Sequence, residues 1–178
     1  DQYQRLTSSG LVKEAELEMT TACWLYSGDS MTTAALTVTG DQTWLHQYDP
    51  YAEGILELPE DGIVLDQDIA RDLGLEEGDP VTVRFTGDPR YYTLHIARVA
   101  RGLSGAYAGR TCWRTLGLPY APTAAYLSVT DREAMAAELD RYDFVDGWQT
   151  RESVTDAAAE QLSSAALMAY ILIVFGGG

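Results

Sequence analysis

The side chains that could perform acid–base or nucleophilic chemistry are few and widely separated. His46 and His95 are the only histidines, and neither has a carboxylate or cysteine at a spacing typical of a metal site or a catalytic pair. Ser104 lies in a glycine-containing stretch, but no base can be named that would activate it. The chain also lacks the G-x-S-x-G, H-E-x-x-H and P-loop patterns. We therefore predict no catalytic residues and no enzymatic activity.

Acidic residues crowd one short region, where they could be taken for a calcium site. They are Asp61, Asp66, Asp68, Asp72, Glu76, Glu77 and Asp79. The alternating D-x-[DN]-x-[DN]-G spacing of a calcium loop is absent from this region. A solvated acidic rim, with Asp66 capping a helix, is therefore favoured over calcium binding. The sequence predicts neither a metal nor a cofactor.

The charge balance bounds the class of partner. The 178 residues include 12 basic and 27 acidic side chains, for a net charge of −15. A field of this sign repels phosphate backbones, so nucleic acid is excluded as a partner, and it disfavours docking on an anionic membrane surface. Cys23 and Cys112 permit one disulfide. The favoured interpretation is that they are two small buried residues that never meet.

An aromatic-rich set gives the only candidate contact residues. Its members are Tyr91, Tyr92, Tyr107, Trp113 and Tyr120. Packing in the core is expected for most of them. If two or more are exposed together, they would mark a contact surface for a partner subunit or an apolar substrate.

The stretch with the clearest local structural signals is Asp61–Phe85. Its pattern predicts a short buried strand, then a helix that Asp66 begins and Gly74 ends, then a turn at Gly78-Asp79. The alternation of Val81, Val83 and Phe85 with polar residues predicts a second strand. None of these side chains is an obvious catalyst, so the stretch is predicted to be architectural.

Two hairpins and a strand–helix–strand piece surround this stretch. Alternation predicts one hairpin from residues 15–20 and 31–39, and another from residues 81–85 and 91–99. The second hairpin would bury its apolar face in a small barrel or curled sheet. Residues 124–129 are predicted to be a strand, which is followed by a helix whose capping box is Thr130 and Glu133. Residues 144–148 are predicted to return as a strand, and the whole strand–helix–strand piece is predicted to pair with the first hairpin.

These elements predict an α+β fold with a discontinuous layout. Residues 10–58 and 120–150 would form a strand–helix lobe, and residues 60–118 would form a small β-rich lobe inserted into it. Residues 153–175 would be a helix, begun by a weaker capping box at Ser153 and Asp156. Its end, Ala165–Phe175, has no charged residue but is shorter than the roughly 20 residues that span a bilayer. We expect it to be the first half of a membrane helix.

The phrase GIVLDQDIARDLGLEEGDPVTV (residues 62–83) resembles a segment in the extracytoplasmic domains of FtsX-like ABC transporter permeases of the MacB type. The order of the surrounding elements is also similar, including the loop that holds Gly105 and Tyr107. The resemblance covers roughly Ala15 to the C-terminus. It implies a porter-like strand–helix lobe and an inserted sabre-like β lobe, on the outer side of the cell membrane.

The resemblance also implies partners. Permeases of this type work as dimers with a separate ATPase and act mechanically on an external protein, peptide or lipid-linked substrate. The expected function is therefore non-catalytic transmission of motion. The alternative is a free-standing β-rich binding or dimerisation module, similar to the swapped-hairpin barrels that share the LGL-x-x-GD turn.

Overall fold

A computed structural model describes residues 2–43, 56–101, 104–150 and 170–175. The chain divides into two compact units, each considered separately below. The first unit combines Asp1–Leu17 with Pro122–Gly178, and the second is the continuous stretch Glu18–Ala121. Strand β1 (Val12–Ser27) begins in the first unit and continues in the second. The predicted lobe of residues 60–118 therefore lies wholly within the second unit.

The second unit is a closed six-stranded β-barrel. Besides β1, its strands are β2 (Ser30–Thr39), β5 (Gly62–Asp66), β6 (Pro80–Phe85), β7 (Tyr92–Ala100) and β8 (Ala106–Gly109). The strand order is β1-β2-β8-β5-β7-β6, and β6 pairs with β1 to close the barrel. The pairs β2–β8 and β5–β7 are parallel, and the other pairs are antiparallel. A pair of two-residue strands, β3 (Gln42–Thr43) and β4 (Leu56–Glu57), forms a separate small sheet.

Alternating apolar residues fill the barrel. Leu25, Val38, Ile63, Val83 and Ile96 come from five different strands, and each is at most 1% exposed. Side chains alternate between the faces of a strand, so this pattern directs one apolar face of every strand into a common core. Two short helices, α2 (Gln67–Leu73) and α3 (Arg110–Thr115), add side chains to the same core.

The prediction for Asp61–Phe85 is confirmed. The side chain of Asp66 caps α2, since its Oδ1 accepts hydrogen bonds from the backbone N–H of Asp68 (3.0 Å) and Ile69 (3.2 Å). Gly74 ends the helix in the left-handed conformation, with φ 64°. The hairpin predicted from β6 and β7 is confirmed as well. The first predicted hairpin is present as β1 and β2, but of its predicted first strand only Met19 and Thr20 pair with β2, and residues 21–27 make most of the pairing.

The first unit contains the remaining described elements. They are α1 (Gln2–Thr7), the start of β1, β9 (Ala124–Val129), α4 (Arg132–Leu139), β10 (Val145–Thr150) and β11 (Tyr170–Phe175). Strand β11 lies between β9 and β10 and is antiparallel to both, and β9 also neighbours β1. Leu6, Leu127, Met135 and Leu139 form most of the core of this unit.

The predicted capping box of α4 is wrong in detail. The cap is Asp131, whose Oδ1 accepts a hydrogen bond from the backbone N–H of Ala134 at 3.0 Å. Thr130 instead donates its hydroxyl hydrogen to the carbonyl of Leu11, at 3.1 Å. The helix therefore begins one residue later than predicted, because the threonine is used to attach β9 to the chain entering β1.

The predicted fold class is wrong. The described chain is mostly β, and it is not an α+β strand–helix lobe with a C-terminal helix. The hairpin of β1 and β2, assigned to the strand–helix lobe, contributes to the barrel. Tyr170–Phe175 is a strand, not the end of a helix. A short apolar run does not distinguish helix from strand by periodicity, and the β-branched Ile171, Ile173 and Val174 favour the strand.

Some predictions lie outside the described residues. They include the capping box at Ser153 and Asp156, most of the predicted helix of residues 153–175, and His46. Within the part of the chain that the structure describes, no helix is long and apolar enough to cross a membrane.

Candidate binding groove

The second unit carries a groove of about 550 Å³, which we call the Trp113 groove. It is lined by Met19, Thr21, Phe85, Thr86, Gly87, Asp88, Arg90, Trp113, Leu118, Pro119 and Ala121. Most of this lining is apolar, with one charged pair at the rim. Small-molecule sites are typically apolar clefts of about 300–1,000 Å³ with a few polar groups, so the groove has the size and character of a binding site.

Two aromatic rings form the floor of the groove. The rings of Phe85 and Trp113 meet edge to face, with centroids 4.9 Å apart. The indole N–H of Trp113 donates a hydrogen bond to the carbonyl of Pro119 (3.0 Å), which fixes the following segment beside the floor. The sulfur of Met19 accepts a weak hydrogen bond from the backbone N–H of Ala121 at 3.4 Å. The floor is therefore held from both sides by the barrel and by α3.

The rim of the groove carries an ion pair in the turn between β6 and β7. The Asp88 carboxylate accepts hydrogen bonds from the backbone N–H of Arg90 (3.0 Å) and from its guanidinium Nε (3.0 Å) and Nη2 (2.7 Å). The hydroxyl group of Tyr92 donates a further bond to Asp88, at 2.8 Å. Gly87, with φ 82°, provides the left-handed residue that this turn requires.

These contacts fix the protonation states at the rim. The hydrogen bonds from Arg90, and then from Tyr92, hold the pKa of Asp88 far below its usual value. The hydrogen bond to Asp88 raises the pKa of Arg90. Burial, followed by the hydrogen bond to Asp88, raises the pKa of Tyr92. General acid–base catalysis needs a pKa near the working pH, so this rim is suited to binding and orienting a polar group.

The two cysteines described are unsuited to act as nucleophiles. Burial raises the pKa of the Cys23 and Cys112 thiols to about 11, and both thiols are free. A cysteine nucleophile needs a lowered pKa and access to solvent. His95 is partly exposed, and its Nε2 lies 3.7 Å from a carboxylate oxygen of Asp61.

Two residues of the predicted acidic rim have structural roles. Asp66 caps α2, and Asp79 accepts a hydrogen bond from the backbone N–H of Glu76 at 2.8 Å. No group of three or more histidine, cysteine or acidic residues in the described ranges is arranged to hold a metal ion. These acidic residues therefore shape a helix end and a turn.

The structure separates the predicted aromatic set. Trp113 lines the groove, and Tyr92 lies at its rim through Asp88. Tyr120 packs partly buried against the barrel core, with the guanidinium of Arg110 4.4 Å from its ring centroid. These three aromatic residues are associated with the groove or its edge.

The other two members of the set lie elsewhere. Tyr91 is 60% exposed, and its ring contacts Tyr26 at a centroid distance of 5.8 Å. Tyr107 packs in a separate cluster with Leu58 and Val64. Its phenol pKa is raised to about 12, mainly by burial. The set as a whole is therefore not one contact surface.

Sequence reasoning missed the polar part of the groove. The turn after β6, in which Asp88 accepts hydrogen bonds from the arginine two positions later, was not predicted. The signal was present, because an aspartate that follows a glycine in a turn commonly accepts hydrogen bonds from the backbone ahead of it. Met19 carried no such signal, since its contact with Ala121 joins residues far apart in sequence.

Comparison with known proteins adds no identity to this geometry. No protein-family model matches the chain, and a search of curated proteins finds no match.

Proposed function

We propose that this chain is a non-catalytic extracytoplasmic domain of an FtsX-like ABC transporter permease. In this role it transmits motion, driven by a separate ATPase, to an external substrate or partner protein. The parent permease would act as a dimer in the cell membrane, with this domain on the outer side. The Trp113 groove would contact an apolar part of the substrate or partner.

One topological observation carries the proposal. Helix α1 and strand β11, near opposite ends of the sequence, belong to the same compact unit, while the barrel is a continuous central stretch. A domain inserted between two membrane segments needs its entering and leaving segments close together, which is met when both belong to one compact unit. This arrangement is also the one expected for a domain inserted within another protein.

Two further features support the proposal. The strand–helix–turn–strand unit of Asp61–Phe85, which carries the sequence resemblance, folds as its pattern predicts. The groove of the second unit combines an apolar floor with a rim where the pKa shifts of Asp88 and Arg90 favour their charged forms. Such a site can bind a ligand without catalysing a reaction on it.

The coding sequence on either side of the chain tests the membrane context. The proposal predicts an apolar segment of about 20 residues upstream of Asp1 and further apolar segments downstream of Gly178. It also predicts an ATPase that co-purifies with the parent protein from detergent extracts. A parent reading frame without apolar segments on both sides would contradict the proposal.

A free-standing binding or dimerisation module is the second candidate. It is favoured by the closed barrel, which has its own core and no unpaired strand among its six. Because strands of a single chain close this barrel, exchange of a hairpin between copies is not needed to complete it. Sedimentation equilibrium of the isolated chain tests the dimerisation form of this candidate, which predicts a stable dimer and is contradicted by a monomer.

A further inference from the structure

A second exposed surface, distinct from the Trp113 groove, lies on the outside of the barrel. The pairing of β1 with β6 places Trp24 beside Arg84, and the pairing of β1 with β2 places Tyr26 beside Met31. Directly paired residues of antiparallel strands share a face, so these four side chains lie together. Tyr91 joins them through its contact with Tyr26. We call these five residues the Trp24 face.

Two large apolar side chains of this face are strongly exposed. Met31 is 54% exposed and Tyr91 is 60% exposed. The exposed Met31 and Tyr91 adjoin the half-buried Trp24, Tyr26 and Arg84. Tryptophan, tyrosine, methionine and arginine are enriched at protein–protein interfaces, where aspartate, glutamate and lysine are depleted. The composition therefore indicates a surface for a protein partner.

Arg84 gives this face its chemical specificity. Its guanidinium carbon lies 4.5 Å from the centroid of the Trp24 ring and 5.9 Å from that of Tyr91. Within the described chain, Arg84 contacts these two rings and forms no ion pair with a carboxylate. Stacking occupies the faces of a guanidinium group and leaves its N–H edge suited to bidentate binding of a carboxylate.

The charge of the face is unusual for this chain. The outward residues in the paired part of β1, β2 and β6 are Ala22, Trp24, Tyr26, Met31, Thr33, Ala35, Thr82 and Arg84. None of them is acidic, although the chain has 27 acidic residues and a net charge of −15. This face therefore presents one cation and no anion.

We propose that the Trp24 face docks a segment of a partner protein in which a carboxylate side chain is flanked by apolar residues. The carboxylate pairs with the N–H edge of Arg84, and the apolar neighbours cover Met31 and Tyr91. This proposal does not depend on the transport function, because it rests on the barrel surface alone.

Charge also argues against two other occupants. A second copy joined by a two-fold axis through this face would oppose Arg84 to itself without any carboxylate to neutralise the pair. An anionic membrane would be attracted by one arginine and repelled by the remaining field of the chain. A partner segment that brings its own carboxylate avoids the first difficulty, and it exposes a single negative charge to the field of the chain instead of a whole anionic surface.

Peptide display tests the proposal with the full 178-residue chain. A random twelve-residue peptide library is selected on the immobilised chain, and recovered peptides are retested on two charge-matched variants. Arg84→Gln removes the cation from the face, whereas Arg132→Gln removes one from α4 in the first unit. We expect recovered peptides to carry Asp or Glu between apolar residues and to bind Arg84→Gln about tenfold more weakly, while Arg132→Gln binds like the parent chain.

Two further variants keep the test decisive. Tyr91→Ala changes a strongly exposed side chain, so the variant is expected to fold, and it should also weaken the peptides severalfold. Replacing the peptide carboxylate by its amide should weaken binding to the parent chain about tenfold and should leave binding to Arg84→Gln unchanged.

The proposal is overturned if recovered peptides lack carboxylates or bind both arginine variants equally. It is also overturned if Arg84→Gln abolishes self-association in sedimentation, or abolishes binding to vesicles of phosphatidylcholine and phosphatidylglycerol. Loss of self-association would assign the face to a second copy, and loss of vesicle binding would assign it to a membrane.

Discussion

The Asp88 carboxylate is held by Arg90 through both the backbone and the side chain of that arginine. The N–H group of Arg90 donates to one carboxylate oxygen at 3.0 Å, and its Nη2 donates to the other at 2.7 Å. This pair forms the charged rim of the Trp113 groove. It also joins the turn after β6 to the first residues of β7, so it contributes both to the site and to folding.

The lowered pKa of Asp88 predicts a specific acid sensitivity. A carboxyl group whose pKa is lower in the folded chain than in the unfolded chain stabilises the fold at pH values above its ordinary pKa of 3.8. This contribution is lost as the pH falls below 3.8 toward the lower pKa of the folded state. Urea unfolding between pH 5 and pH 2 should therefore show a smaller loss of stability in Asp88→Asn than in the parent chain.

Asp29→Asn provides the control for this measurement. Asp29 lies in the exposed turn between β1 and β2 and makes no ion pair with another described residue. The loss of stability of this variant at low pH should match that of the parent chain. An equal acid loss in Asp88→Asn and Asp29→Asn would show that the Asp88 pair does not contribute as described.

Gly105 is predicted to be essential for pairing β8 with β2. It has φ 95°, and an added Cβ would overlap the carbonyl oxygen of Ala35. Gly105→Ala should therefore lower the free energy of unfolding by about 3 kcal/mol. Gly78→Ala is the matched control, since Gly78 has φ 92° but open space around it, and it should cost only about 1 kcal/mol. Similar losses in both variants, measured by urea unfolding, would contradict the close approach of β8 to β2.

The cap of α2 gives a smaller prediction. Asp66→Ala removes the acceptor for the backbone N–H groups of Asp68 and Ile69 and should cost about 1 kcal/mol of stability. Asp66→Asn keeps an acceptor oxygen and should retain most of that stability. If alanine and asparagine are equally tolerated in thermal unfolding, the side chain is not a cap.

The sequence was a reliable guide where structure is encoded locally. The unit from Asp61 to Phe85 was predictable because a cap, a left-handed glycine and an alternating strand follow one another within a few residues. The two hairpins were predictable for the same reason. These features limit the conformations of their own neighbours, whatever the rest of the chain does.

Pairings between distant segments were not predictable. The parallel pairing of β2 with β8 and the antiparallel placement of β11 between β9 and β10 depend on contacts that no local pattern specifies. Trp113 lies in the short helix α3, whose place in the fold no sequence pattern predicted. The groove that this residue lines therefore had no sequence signature beyond its aromatic residues.

The two native cysteines should be unreactive in the folded chain. Both are at most 1% exposed, and burial raises the pKa of each thiol to about 11. At pH 8 a disulfide reagent such as Ellman's should react slowly with the native chain and rapidly with both thiols in urea. Fast reaction of either thiol in the native chain would contradict the closed core of the barrel.

This low background permits a direct test of the proposed location. Ser30→Cys places one thiol at the exposed first residue of β2, within a parent protein whose Cys23 and Cys112 stay buried. Intact cells that make this variant are treated with a membrane-impermeant maleimide, with the unsubstituted protein as control. We expect Ser30→Cys to be labelled in intact cells and the control to stay unlabelled. Labelling that appears only after the cells are lysed would contradict an extracytoplasmic domain.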